Sequence, residues 1–282
     1  MTLKAYPKIN LYLKLVGIQH NNHHSYHLLE SRFGLITSGV YDEIFISESS
    51  HDSIKGDFGC DWQKSSVFQA LVALRKFYPI PPLRIEVQKR IPIGAGLGGG
   101  SSDAGVLLSA LNQKFSINLN QAKLAQIAKS IGADVAFFTQ GHRFAEVRGI
   151  GEIIEPKQIL DSDMTDFEIF TPPIFCDTKQ VYQCYIQMRQ NKQIQFSAKN
   201  LFANLDNQTL FTHNCADLND LFLPASTLYP QLLNIKKDLG DEWFFSGSGS
   251  SFFRPVRPIN KSAKPTSFTE SIDSTNTAQK RI

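Results

Sequence analysis

Four cysteines in 282 residues, with no C-x-x-C pair among them, are too few and too scattered for a disulfide framework or a zinc ribbon. Cys60, Cys176, Cys184 and Cys215 are therefore expected to be reduced thiols, as in a cytoplasmic protein. No segment has eighteen uninterrupted apolar residues, and MTLKAYPKIN at the start is not followed by the continuous apolar core of an export signal. A soluble, unexported protein with no membrane partner is expected. Runs of five or six like charges are missing too, and 29 basic against 26 acidic residues leave a formal charge of only +3. Nucleic acid is thus not an expected partner, whereas a small anion is compatible. Nor does any repeat of about 20–50 residues occur.

What is present is a 42% hydrophobic chain, enough for one large domain or two modest ones. In KINLYLKLV, residues 8–16, apolar Ile9, Leu11, Leu13 and Leu15 alternate with Asn10, Tyr12 and Lys14, so a half-buried strand is predicted with Lys8 and Asn10 on one face. Residues 43–48 and 83–87 read as further strands, 67–77 as a helix, and 120–131 as a helix capped by Asn118 or Asn120 and ended near Gly132. The strand at 83–87 runs through Lys89 into a glycine-rich loop, and the loop runs into a helix over 104–115. Residues 20–25, rich in histidine and asparagine, read as a loop. Pro156, Asp161, Ser162, Asp163 and Asp166 break the apolar pattern before a strand at 167–171, which puts a domain boundary near 155–166. Residues 254–282 show neither helix nor strand periodicity, and 259–282 are too poor in apolar residues to offset the entropy of ordering.

The glycine loop, IPIGAGLGGGSSDAG over residues 91–105, fails three familiar phosphate patterns. A P-loop laid from Gly94 to Gly99 has Gly100 where its lysine belongs. The dinucleotide pattern matches at Gly94, Gly96 and Gly99, but no acidic ribose partner follows about twenty residues later. A protein-kinase loop lies in a hairpin and is followed by H-R-D and D-F-G, neither of which is found. The common physics survives: glycines admit close backbone approach and positive φ, and Ser101 and Ser102 stand where unpaired N–H groups and the helix dipole favour an anion. A polyphosphate fits. The cluster His20, His23, His24 and His27 has metal-like spacing, but only Glu30 stands near it as a further ligand.

The stretch PIGAGLGGGSSDA resembles the phosphate loop of the GHMP kinase superfamily, small-molecule kinases that bind ATP without a Walker lysine. AYPKINLYL, SYHLLES, IGADVAFF and FFSGSGSSFF resemble further segments of that superfamily, in the same order along the chain, and point within it to a branch whose acceptor is a cytidylyl compound of isoprenoid-precursor synthesis. The resemblance implies a two-domain α+β fold, with an N-terminal domain like ribosomal protein S5 over 1–158, a ferredoxin-like substrate domain over 159–258 and a tail over 259–282. It implies Lys8 and Asp134 as the catalytic pair. ATP would lie along Pro92, Ile93, Gly94, Ala95, Gly96, Leu97, Gly98, Gly99, Gly100, Ser101 and Ser102, with Lys89 at the entrance and Mg2+ accompanying it, Ser102 being a candidate ligand.

For the acceptor it implies Asn10 near the polyol or phosphate, Tyr26 stacking on the cytosine and His27 reading its edge. Tyr182, with Thr178 nearby, would close the pocket from the other side, and two stacked aromatics are worth roughly 1–3 kcal/mol each. Gly247 and Gly249 would approach the phosphates from the second domain. Another GHMP kinase, acting on mevalonate, homoserine or a sugar, and a non-catalytic nucleotide-binding relative stay open as alternatives, as does a monomer or weak homodimer.

Overall fold

The computed structural model describes residues 1–21, 24–158 and 166–256. The expected boundary falls partly outside these residues, and the tail over 259–282 wholly so. The first sheet contains β1 (Thr2–Ala5), β4 (Asp42–Glu48), β5 (Ser53–Gly56) and β6 (Leu83–Gln88) in the order β1-β4-β6-β5, with β5 parallel to β6 and the other pairs antiparallel. Alternation along β6 buries Leu83, Ile85 and Val87 against helices α1 (Ser66–Arg75), α2 (Gly99–Lys114) and α3 (Gln121–Lys129). Asn120 caps α3, its side chain accepting from the Lys123 N–H at 2.9 Å, while Asn118 adopts a left-handed φ of 60° just before it. Helix α2 begins five residues before the expected start, inside the glycines, because their low helix propensity hides the first turn from periodicity.

The second sheet holds β2 (Lys8–Asn21), β3 (His24–Leu35), β7 (Phe144–Gly149) and β8 (Ile153–Pro156), all antiparallel in that order. In the stretch 20–25 expected as a loop, the described residues His20, Asn21, His24 and Ser25 are strand, with Asn21 paired to His24. Simple alternation along β2 is corrected as well. The register passes from Asn10↔Phe33 to Tyr12↔Arg32, so Leu11 is the extra residue of a bulge, and side chains beyond it change face. Lys8 and Asn10 share one face with Ser31 and Phe33, whereas Tyr12 and Lys14 join Arg32 on the other. Both faces are buried. The third sheet, β10-β11-β9, comprises β9 (Asp166–Phe170), β10 (Phe244–Phe245) and β11 (Phe252–Val256), so Arg254 to Val256 form strand where none was expected.

On the far face of the second sheet, the fully buried Arg32 gives Nε to Glu146 at 2.7 Å, Nη1 to Asn207 Oδ1 at 2.8 Å, and Nη2 to the Leu205 carbonyl at 2.8 Å. Tyr12 donates to the second Glu146 oxygen at 2.5 Å. Lys14 pairs with Asp220, and the Asp220 N–H donates to the Leu13 carbonyl at 2.9 Å. These contacts tie residues 197–220 of the second domain to β2 and β3 and leave the opposite face to form a cleft. Among the described residues no helix is long and apolar enough to cross a membrane. Replacing Glu146 by Leu strands the Arg32 charge in the interior, and a loss of about 3–5 kcal/mol is expected in urea unfolding. The double variant Arg32→Met/Glu146→Leu should recover most of it; a double variant as unstable as the single one contradicts this account.

Candidate active site

Positive φ values at Gly94 (67°), Gly96 (73°) and Gly98 (69°) alternate with inward-facing Ala95 and Leu97, so the loop coils in a form that side chains at the three glycines would oppose. Its carbonyls are held by the protein. The Gly94 oxygen accepts from the Cys176 N–H at 3.2 Å, Ala95 from Ser251 N–H at 3.1 Å, Gly96 from Ser246 Oγ and Lys8 Nζ at 3.2 Å each, and Leu97 from Lys8 N–H at 3.0 Å. The N–H groups from Gly96 to Ser101 have no partner among the described residues. With carbonyls turned in and amides turned out at the start of α2, this segment is a cradle for an anion.

A cleft of about 890 Å3 runs past this loop. Lys8, only 4% exposed, gives Nζ to Asn10 Oδ1 at 2.6 Å and lies 3.4 Å from Asp134 Oδ2 and 4.7 Å above the Phe33 ring. Asp134 precedes the short helix α4 (Val135–Phe138) but makes no side-chain cap to it, and its side chain is 30% exposed toward the cleft. An ammonium and a carboxylate thus meet beside the anion cradle. Farther along, His27 packs against Tyr182 and Tyr185 with ring centroids 5.5 and 5.9 Å away, and Tyr26 stands exposed at the rim. Tyr182 lies in the second turn of α5 (Thr178–Gln190), whose Thr178 shares a 2.7 Å hydrogen bond with Ser248. Burial, aided by the Arg189 charge, holds the His27 imidazole below its ordinary range, and its buried Nε2 has no hydrogen-bond partner among the described residues.

Four expected roles are qualified on inspection. The Ser102 hydroxyl donates to the Tyr6 carbonyl at 2.7 Å and is fully buried off the cleft, so it is not placed to hold a metal. Lys89 lines the cleft at the glycine loop, as expected, but its ammonium is also held by Asp42 and by Asp103 at 2.7 Å. Asp42 also accepts from the N–H groups of Arg90 and Ile91 at 2.5 and 2.8 Å, so this triad fastens the end of β6 to the first turns of α2. Burial, with Asp42 beside it, pushes the Asp103 carboxyl up to about 7 against the pull of Lys89. Gly249 faces the interior, where a Cβ would lie 2.3 Å from the Phe245 ring, and it does not line the cleft. Asn10 lines the cleft, but Lys8 and Ser31 already take its amide oxygen and nitrogen. Gly247 does sit over the loop, close to Gly96 and Asn10.

Sequence reasoning passed over Asp42 and Ser31. No local signal links Asp42 to Lys89, 47 residues later, whereas Ser31 ends the SYHLLES segment and lies two strand positions from Phe33, on the same face.

A glycine-cradled phosphate loop at a helix start, served by a lysine from a distant strand, defines a small-molecule kinase of the GHMP type, and the GHMP kinases N terminal domain matches residues 65–142. The chain is 37% identical to the 4-diphosphocytidyl-2-C-methyl-D-erythritol kinase of Helicobacter pylori across 93% of this chain and 97% of that protein. It is 36% identical to the enzyme of that name from Sulfurimonas denitrificans, across 89% and 95%. A crystal structure of 4-(cytidine 5'-diphospho)-2C-methyl-D-erythritol kinase superposes with a TM-score of 0.73 at 28% identity, covering 91% of this chain and 90% of that one. Homoserine kinase from Cytophaga hutchinsonii shares the fold at a TM-score of 0.61 and 20% identity, over 91% and 84%. The chain belongs to the 4-diphosphocytidyl-2-C-methyl-D-erythritol kinase family of GHMP kinases.

A Cβ at Gly96 would come within 2.2 Å of the Ser246 carbonyl oxygen, whereas one at Gly39, with a similar φ of 81°, would meet nothing within 4 Å. Gly96→Ala should therefore lower the melting temperature and weaken ATP binding by calorimetry well beyond the effect of Gly39→Ala, which carries only the roughly 1–2 kcal/mol of left-handed strain. Equal effects of the two substitutions contradict the docking of the glycine turns.

Proposed function

We propose that the protein transfers the γ-phosphoryl group of ATP to the 2-hydroxyl of 4-diphosphocytidyl-2-C-methyl-D-erythritol. The observation that carries this reading is one cleft in which Lys8 and Asp134 stand between an amide-lined loop and a pocket of His27, Tyr182 and Tyr26. The loop amides would hold the triphosphate, and Lys8, in reach of both the Gly96 carbonyl and Asp134, would place positive charge beside the moving phosphoryl group. Asp134 takes the hydroxyl proton as the bond from the acceptor oxygen to the γ-phosphorus forms, and the bond to the bridging oxygen breaks to release ADP. His27, held neutral, lines the cleft between Tyr26 and Tyr182 and would present its ring to the cytosine there.

Mg2+ is expected with ATP, although no three His, Cys, Asp or Glu side chains converge as a cage among the described residues. The nucleotide phosphates themselves would hold it beside the glycine loop, where it would supply neutralising charge. We read the protein as cytoplasmic, a monomer or weak homodimer, with no nucleic-acid or membrane partner.

Purified protein with ATP and Mg2+ should phosphorylate the cytidylyl acceptor and leave mevalonate, homoserine and free sugars untouched; turnover of those compounds in its place refutes the assignment. Asp134→Asn should lower kcat by about 100- to 10,000-fold with ATP binding little changed. The pH dependence has a definite sign. Because His27 is shifted downward, the neutral ring persists through about pH 6.5. KM for the acceptor should accordingly stay level from pH 8 to 6.5 and climb only in more acid solution, as the ring gains a proton. A KM that already climbs between pH 8 and 7 contradicts this.

A further inference from the structure

We infer that Ser31, acting through Asn10, is a positioning residue for Lys8, and that these three side chains form a one-way hydrogen-bond relay into the active site. The inference rests on the kinase reading above. It starts from the β2 bulge, which disrupts the strand ladder at Leu11. Near that break the Tyr12 carbonyl accepts from Ser31 Oγ at 2.5 Å. With its proton so committed, Ser31 Oγ presents a lone pair to Asn10 Nδ2 at 2.9 Å. The amide is thereby oriented with Oδ1 toward Lys8 Nζ, which donates to it at 2.6 Å. A reversed amide would set an NH2 group against the ammonium and leave two donors facing each other.

The distances show what the relay decides. Asn10 is the nearest partner of Lys8, closer than the Gly96 carbonyl at 3.2 Å or Asp134 at 3.4 Å. The lysine is thus fixed by a neutral acceptor, and its charge is not cancelled by the group that holds it. A carboxylate at position 10 would compete with Asp134 for the same ammonium. Ser31 is fully buried, and Asn10 and Lys8 nearly so, which prevents water from replacing a lost member. Ser31 itself does not line the cleft, so its route to Lys8 runs through Asn10.

The test is steady-state kinetics of the full-length protein with ATP and the cytidylyl acceptor. Ser31→Ala leaves the Asn10 amide without its acceptor, and kcat should fall about tenfold or more, with KM for both substrates within about twofold of wild type. Ser31→Thr keeps the hydroxyl and should restore kcat to within about threefold. In a cycle with Asn10→Ala, the double variant should be no slower than Asn10→Ala alone, since both act through one chain of contacts. Should Ser31→Ala not fold, Ser31→Cys, similar in size with a weak donor, carries the same kcat-against-KM comparison. Unchanged kcat, a rise in KM matching the fall in kcat, or additive losses in the cycle each overturn the relay while leaving the kinase reading standing. A folded wild type that transfers no phosphate to the cytidylyl acceptor overturns the function on which the relay rests.

Discussion

A chain segment can present its amides to an anion only if its carbonyls are held elsewhere, and here that condition depends on contact between two glycine turns. Gly96 approaches the Ser246 carbonyl so closely that no side chain fits, and Ser246, Ser251 and Cys176 take up the loop carbonyls from the second-domain side. The same contact joins the domains at the site, since Gly247 comes to rest beside Gly96 and Asn10. Anion cradle and domain interface are thus one structure. Strain introduced at Gly96 reaches both.

The missing P-loop lysine is replaced by a division of labour between two lysines. Lys89, adjacent in sequence, lines the cleft beside the loop but is paired with Asp42 and Asp103 and fastens strand end to helix start. Two carboxylates around one ammonium in a buried place cannot both ionise cheaply, which is why Asp103 is the group pushed upward. Lys8 arrives from β2 and keeps its charge at the cleft, held by an amide and a carbonyl. Proximity in sequence is misleading for the first lysine and silent about the second.

What could be read in the residues follows from the range of the physics involved. Strands at 83–87 and 43–48 and the helix at 67–77 rest on local alternation and period, and the structure has them within a residue or two. The bulge at Leu11 has no such signature: KINLYLKLV alternates without a break, and only pairing with β3 shows that Tyr12 and Lys14 leave the face of Lys8 and Asn10. The contacts that hold Ser102 and Lys89 leave no local signature for a related reason. Their partners, the Tyr6 carbonyl and Asp42, lie 96 and 47 residues away, beyond anything that spacing along the chain encodes. His27, Tyr182, Lys8 and Asp134 were named from segments scattered over the chain, and the fold gathers them into one cleft.

The choice of acceptor lies in the site more than in the fold, because homoserine kinase and mevalonate kinases share the architecture at TM-scores of 0.61 and 0.53–0.59 with 12–20% identity. Strand β3 offers a measure. His27, Leu29, Ser31 and Phe33 occupy successive positions on one face, from the aromatic pocket to the ring beneath Lys8, with no bulge between them on that strand. At about 3.3 Å per residue, six residues separate the two ends by about 20 Å. A nucleoside diphosphate esterified to a small polyol can reach from one end toward the other, with its base at His27 and a hydroxyl near Asp134. Homoserine or mevalonate, only a few atoms long, would occupy the Lys8 end and leave the far end of the cleft, lined by Tyr26 and by the packed rings of His27 and Tyr182, without a ligand to contact.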